Sequence, residues 1–122
     1  MRKRKSKKTK LQDEADMLTQ KKYVAENPYC LICGKPTNCM HHYIPKSLSK
    51  ALRYDPDNLI PVCFGCHMAI HQKSDPYPTN RIVEIKGTEW RDNLEKKRRQ
   101  PFKQTIGYLE SIIEFYKRDY AE

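Results

Sequence analysis

The chain has 122 residues, of which 38% are hydrophobic and 32% charged, with a net charge of +9 and a mean hydropathy of −0.91. That length suits one domain, and so thin an apolar complement leaves a small core that a structural metal would have to support. No apolar run approaches the roughly 18 residues of a membrane span, and no apolar stretch follows the cationic N-terminus, which excludes a secretory signal and points to the cytoplasm.

In chain order, residues 1–10 (MRKRKSKKTK) hold seven Lys/Arg and no acid, leaving seventeen basic against fifteen acidic residues elsewhere. Uniform charge with nothing to bury predicts a disordered tail. Its Arg2, Lys3, Arg4, Lys5, Lys7 and Lys8 are expected to meet a polyanion, nucleic acid first. Residues 11–26 should form a helix with Leu11, Ala15, Leu18 and the Lys22 stem on one stripe, ending before Asn27-Pro28. Cys30 to Cys33 followed by Gly34 is a metal knuckle. Residues 39–44 read as a strand stopped by Pro45, residues 46–54 as a short helix or ordered loop, and residues 55–58 as a turn. Residues 59–62 form a second strand, with Pro61 marking an edge, and residues 63–72 a helix opening on a second knuckle. Beyond residues 74–78 the chain turns helical, capped by Thr79 or Asn80 and broken at Gly87. Residues 102–120 carry Phe102, Ile106, Leu109, Ile112, Ile113 and Tyr116 at helical spacing. This last helix is expected to pack back on the ββα unit, with Trp90 in the core of the C-terminal part. A second basic run, Lys96, Lys97, Arg98, Arg99 and Lys103, flanks Pro101.

All four histidines and all five cysteines lie between residues 30 and 71, and four of those cysteines fall into two Cys-x2-Cys pairs. Cys30, Cys33, Cys63 and Cys66 form a C-x2-C-x29-C-x2-C set, the spacing of a closed tetrahedral zinc site in a reducing compartment. Cys39 is left over and reads as a small half-buried thiol. His67 and His71, four residues apart on a helix, can chelate one ion. His41 and His42 must point to opposite faces of their strand, so one can join that ion while the other approaches a substrate from elsewhere. Three imidazoles leave coordination positions open for water and a phosphate oxygen. The result is an α+β protein with a zinc-pinned ββα unit flanked by helices.

The string His41-His42-Tyr43-Ile44-Pro45, then Asp57-Asn58-Leu59-Ile60-Pro61-Val62-Cys63-Phe64-Gly65-Cys66-His67 and His71, resembles the HNH endonuclease motif in its four-cysteine form. The resemblance implies a ββα-metal nuclease domain over residues 11–122, with a motif core at 30–73 and a helical extension at 79–120. It implies a DNA endonuclease with His42 as general base, Asn58 tying down the loop and orienting that base, and His41, His67 and His71 holding the catalytic ion. It also implies products with 5′-phosphate and 3′-hydroxyl ends, and a stand-alone protein of phage or mobile-element type, working in a bacterial host cell. One departure is that many four-cysteine members have Asp where this chain has His41. An all-imidazole site leaves Mg²⁺, Mn²⁺, Ni²⁺, Co²⁺ and Zn²⁺ open as the catalytic ion. Lys46 and Arg53 stand near the active strand as phosphate contacts. The rival readings are a non-enzymatic zinc module that binds DNA, and a ribonuclease of the same fold.

Overall fold

The computed structural model describes residues 4–121, with the side chains of residues 119–121 left aside. Helix α1 spans Lys7–Glu26. It starts four residues before the expected boundary because Ser6 caps it, its hydroxyl accepting from the Thr9 N–H at 3.1 Å. Residues 7–10, expected to be disordered, are therefore its first turn, while residues 1–3 of the basic tail lie outside the described residues.

Strand β1 (Cys39–His42) pairs antiparallel with β2 (Leu59–Val62), placing Cys39 opposite Val62, Met40 opposite Pro61, His41 opposite Ile60 and His42 opposite Leu59. The strand ends at His42, two residues short of the expected Ile44, and residues 46–54 form an ordered loop of turns, not a helix. A 3-10 turn at Pro56–Asn58 leads into β2. Helix α2 (Phe64–His71) follows at once, with Cys63 as its N-cap. Helices α3 (Tyr77–Lys86) and α4 (Thr88–Arg99) meet at Gly87, whose φ of +97° suits a residue without Cβ. The α3 cap is Pro76, not Thr79 or Asn80. Helix α5 (Ile106–Ala121) starts later than expected, because the Thr105 hydroxyl accepts from the Tyr108 N–H at 3.0 Å. Among the described residues, no helix is long and apolar enough to cross a membrane.

The last helix corrects one expectation. Helix α5 packs mainly on α1 and meets the ββα unit only at Tyr54 of its loop: Leu109, Ile113 and Tyr116 join Ala15, Leu18 and Tyr54 in one buried cluster. The apolar stripe of α1 needs a cover, and α5 presents the complementary stripe. Covering the ββα loop falls to α4, whose Leu94 is buried with Ile44 and Leu52. Trp90 stacks on Tyr43 at 4.8 Å between ring centres and donates its indole N–H to the Asp57 carbonyl at 2.8 Å. It is half-buried, packed against the clusters around Ile82 and Leu94, and not in the core itself.

Candidate metal centres and active cleft

The first knuckle closes on itself. Gly34, at φ +79°, lets its N–H reach the Cys30 carbonyl at 3.0 Å, and the Cys30 N–H reaches the Lys35 carbonyl at 2.7 Å. Leu31 then hydrogen-bonds to the Pro61 carbonyl at 2.9 Å, which docks the knuckle beside β2. The second knuckle is the α2 N-terminus, where the Cys63 sulfur accepts from the Cys66 N–H at 3.4 Å. Asn38 ties the two ends together, its side-chain oxygen accepting from the Phe64 N–H at 2.7 Å.

The four sulfurs of Cys30, Cys33, Cys63 and Cys66 lie within 4.8 Å of one another, with Cys33 and Cys63 at 3.5 Å. A tetrahedron with Zn–S bonds of about 2.3 Å has edges of about 3.8 Å, so this set could hold a zinc ion. The acidities agree. Burial pulls the Cys30 thiol upward, but backbone N–H groups outweigh it and bring the thiol down to about 7. Cys63 is lowered by the Cys66 backbone N–H, whereas Cys66 is pushed up by burial and by its neighbouring thiols. Sulfurs that share protons in this way are ready to exchange them for one divalent cation.

Three imidazoles form a second cluster where β1 crosses α2. The coordinating nitrogens of His41, His67 and His71 lie within 4.8 Å of one another, with the Nε2 atoms of His67 and His71 at 3.1 Å. Nitrogens at about 2.1 Å from one ion would stand about 3.0–3.4 Å apart, so the set fits a divalent metal. Burial and the neighbouring imidazoles push His41 down to about 4, and His67 is lowered by burial and by His71. Neutral rings are the form that ligates. Cys39, which sequence reasoning set aside, lies with its sulfur 3.4 Å from His67 Nδ1. That contact leaves Nε2 as the atom turned to the cluster.

His42 is not in that cluster. Its Nε2 is 2.8 Å from the Arg53 carbonyl oxygen, and a carbonyl only accepts, so Nε2 carries the proton and Nδ1 keeps the lone pair. Burial lowers the His42 pKa against the smaller upward pull of that hydrogen bond, which favours the neutral ring. His41, His42, His67, His71, Lys46 and Gln20 all face one cleft of about 390 Å³.

Asn58 is fully buried and does not touch His42. Its side-chain oxygen accepts from the Ile44 N–H at 2.7 Å, and its amide donates to the Ile44 carbonyl at 3.0 Å and the Leu52 carbonyl at 3.2 Å. These bonds join the start of the loop at Ile44 to Leu52, the residue before Arg53. Arg53 itself is not a free cation. Its guanidinium grips Asp16 of α1, and its side chain is only 17% exposed. Lys46 remains exposed at the cleft rim. Of the basic tail, Arg2 and Lys3 lie outside the described residues, Arg4 and Lys7 are exposed, Lys8 is half-buried, and Lys5 pairs with Asp13 at 2.7 Å. Lys7 stands about 20 Å along α1 from Gln20, which lines the cleft, at 1.5 Å per residue.

Comparison with known proteins adds a family. Residues 29–73 match the HNH endonuclease family. A 47-residue stretch is 45% identical to a mitochondrial DNA mismatch repair protein mutS homolog of Sarcophyton glaucum, covering 35% of this chain but only 5% of that protein. No solved structure matches the chain significantly. The matched residues hold both candidate ligand sets, the strand that carries His42, and Asn58. The likeness to the HNH endonuclease family is thus confined to residues 29–73, set between helices that the family match does not reach.

Proposed function

We propose that the chain is a metal-dependent endonuclease that hydrolyses DNA phosphodiester bonds, with His42 as general base. The observation that carries this reading is the division of labour among the four histidines. Three converge on one point, and the fourth is held apart by a backbone carbonyl with Nδ1 free. A purely structural zinc module needs only the four cysteines and would leave this arrangement without a purpose.

In this reading neutral His42 takes a proton from water at Nδ1. The water oxygen forms a bond to phosphorus, the bond from phosphorus to the 3′ oxygen breaks, and that oxygen takes a proton from solvent water while His42 returns its own to solvent, giving 5′-phosphate and 3′-hydroxyl ends. His41, His67 and His71 would hold one divalent ion, whose chemistry when bound is to neutralise charge on the phosphoryl group and on the leaving oxygen. Imidazole donors suit Zn²⁺, Ni²⁺, Co²⁺ or Mn²⁺ better than Mg²⁺. Lys46, at the rim, meets the phosphate as a point charge. Cys30, Cys33, Cys63 and Cys66 hold a structural zinc that clamps β2 and α2 to the first knuckle. The basic tail supplies a non-specific field for the polyanion. DNA is favoured as substrate because the similar stretch belongs to a protein named for DNA mismatch repair.

The test is incubation of plasmid, single-stranded DNA, branched DNA and RNA with the protein and each divalent ion in turn. The expected result is DNA cleavage by the parent and a loss of about 10²–10⁴-fold in His42→Ala. Cleavage of RNA alone would make it a ribonuclease, and equal cleavage by parent and variant would refute the assignment of the base.

A further inference from the structure

Helix α1 lies outside the HNH-matched residues, yet one of its faces reaches the base from two sides. Asp16 and Gln20 are one turn apart and so share that face. The Asp16 carboxylate accepts from Arg53 Nε at 2.9 Å and from Nη2 at 2.5 Å, a two-pronged pair only 26% and 17% exposed on its two sides. The carbonyl of that same Arg53 receives the His42 Nε2–H at 2.8 Å. Gln20 meanwhile grips the backbone of Met40, two residues before His42. Its side-chain oxygen accepts from the Met40 N–H at 2.8 Å and its amide donates to the Met40 carbonyl at 3.0 Å. At the Met40–Pro61 pair the backbone groups of Met40 point away from β2, so Gln20 acts as a surrogate strand on the other edge.

We propose that Asp16 and Gln20 are positioning residues for His42: Gln20 sets the strand that carries the ring, and Asp16, through Arg53, sets the carbonyl that selects its tautomer. The need follows from the loop. Residues 46–54 have no helix or strand to hold them, so the Arg53 carbonyl depends on side-chain anchors. Asn58 anchors its neighbour Leu52 from the β2 side, and the Asp16–Arg53 fork anchors it from the α1 side. A planar guanidinium held at two points fixes direction as well as distance, which a lysine cannot do. Helix α1 can serve as a reference because α5 holds it in turn, through the buried cluster around Leu109 and Tyr116 and the pair of Lys117 with Glu14 at 2.9 Å.

This inference rests on the nuclease reading, and its test separates the two. The zinc-loaded full chain is compared with Asp16→Asn, Arg53→Lys, Gln20→Leu and the conservative Asp16→Glu. Long-range ¹⁵N–¹H spectra of the imidazoles at fixed pH report the His42 tautomer without reference to activity. The parent should show His42 protonated at Nε2, and Asp16→Asn and Arg53→Lys should show a mixture of tautomers. On plasmid DNA these two variants and Gln20→Leu should lose kcat by about 10–100-fold, the range expected for a base displaced by about an ångström. KM, zinc content and Ni²⁺ binding should be unchanged, and Asp16→Glu should recover most of the rate. Where Asp16→Asn fails to fold, Arg53→Lys carries the comparison, since it keeps the ion pair while losing the fork. A parental kcat and tautomer in both variants would overturn the proposal, as would a loss confined to KM, which would make Arg53 a DNA contact. A parent that cuts nothing refutes the nuclease reading, and the spectra still decide the positioning.

Discussion

Replacing Asn58 by alanine should be among the most costly single changes in the ββα unit. The side chain is fully buried and satisfies three backbone groups at once: the Ile44 N–H, the Ile44 carbonyl and the Leu52 carbonyl. Each buried group left without a partner costs about 1–3 kcal/mol. Relaxation of the loop recovers part of this, so a loss of about 3–5 kcal/mol is expected. Against a total stability of about 5–15 kcal/mol that is a large fraction, equivalent to a fall in Tm of about 10–20 °C. The assay is a thermal melt by far-ultraviolet circular dichroism with zinc saturating, so that metal loss does not confound the transition. Asn58→Asp sharpens the test. It keeps the oxygen that receives the Ile44 N–H but turns a carboxylate oxygen toward two carbonyls, and should destabilise about as much as alanine. Below the melting point both variants should also cut DNA more slowly, because freeing the Leu52 carbonyl loosens the residue before Arg53. If Asn58→Ala melted within about 2 °C of the parent, the stapling role and the magnitude derived from it would both be wrong.

Cys63→Ser should abolish zinc binding and unfold the domain, since Cys63 is at once a sulfur of the four-cysteine set and the cap of α2; one zinc per chain in the parent and none in a folded variant by elemental analysis would contradict this. Removing residues 1–5 takes away Arg2, Lys3, Arg4 and Lys5 while sparing the Ser6 cap; the slope of log affinity for duplex DNA against log salt should flatten by up to about 0.9 for each phosphate no longer neutralised, with single-turnover cleavage little changed. His67→Ala should lose calorimetric binding of Ni²⁺ or Mn²⁺ at the three-histidine cluster, whereas His42→Ala should keep it; the reverse pattern would swap the two roles.

The two clusters of candidate ligands were legible in the sequence because they are marked by residue type and spacing. Two Cys-x2-Cys pairs, a His-His pair and histidines four apart on a helix single out these residues before any fold is known, and the structure brings the four cysteines together and His41 beside His67 and His71. Alternation along a strand separated His41 from His42, and the structure has one in the cluster and the other outside it. What the sequence left open depends on contacts between residues far apart in the chain. Helical spacing marked the apolar stripes of α1 and α5 but could not say that they face each other, since any apolar stripe can cover any other of similar width. Arg53 looked like a phosphate contact because a lone arginine in a loop carries no sign of its partner; only the fold sets Asp16, 37 residues earlier, against it. The atom of His42 left free to take a proton was decided by a backbone carbonyl, and carbonyls are alike in every residue. Its direction comes from tertiary structure alone.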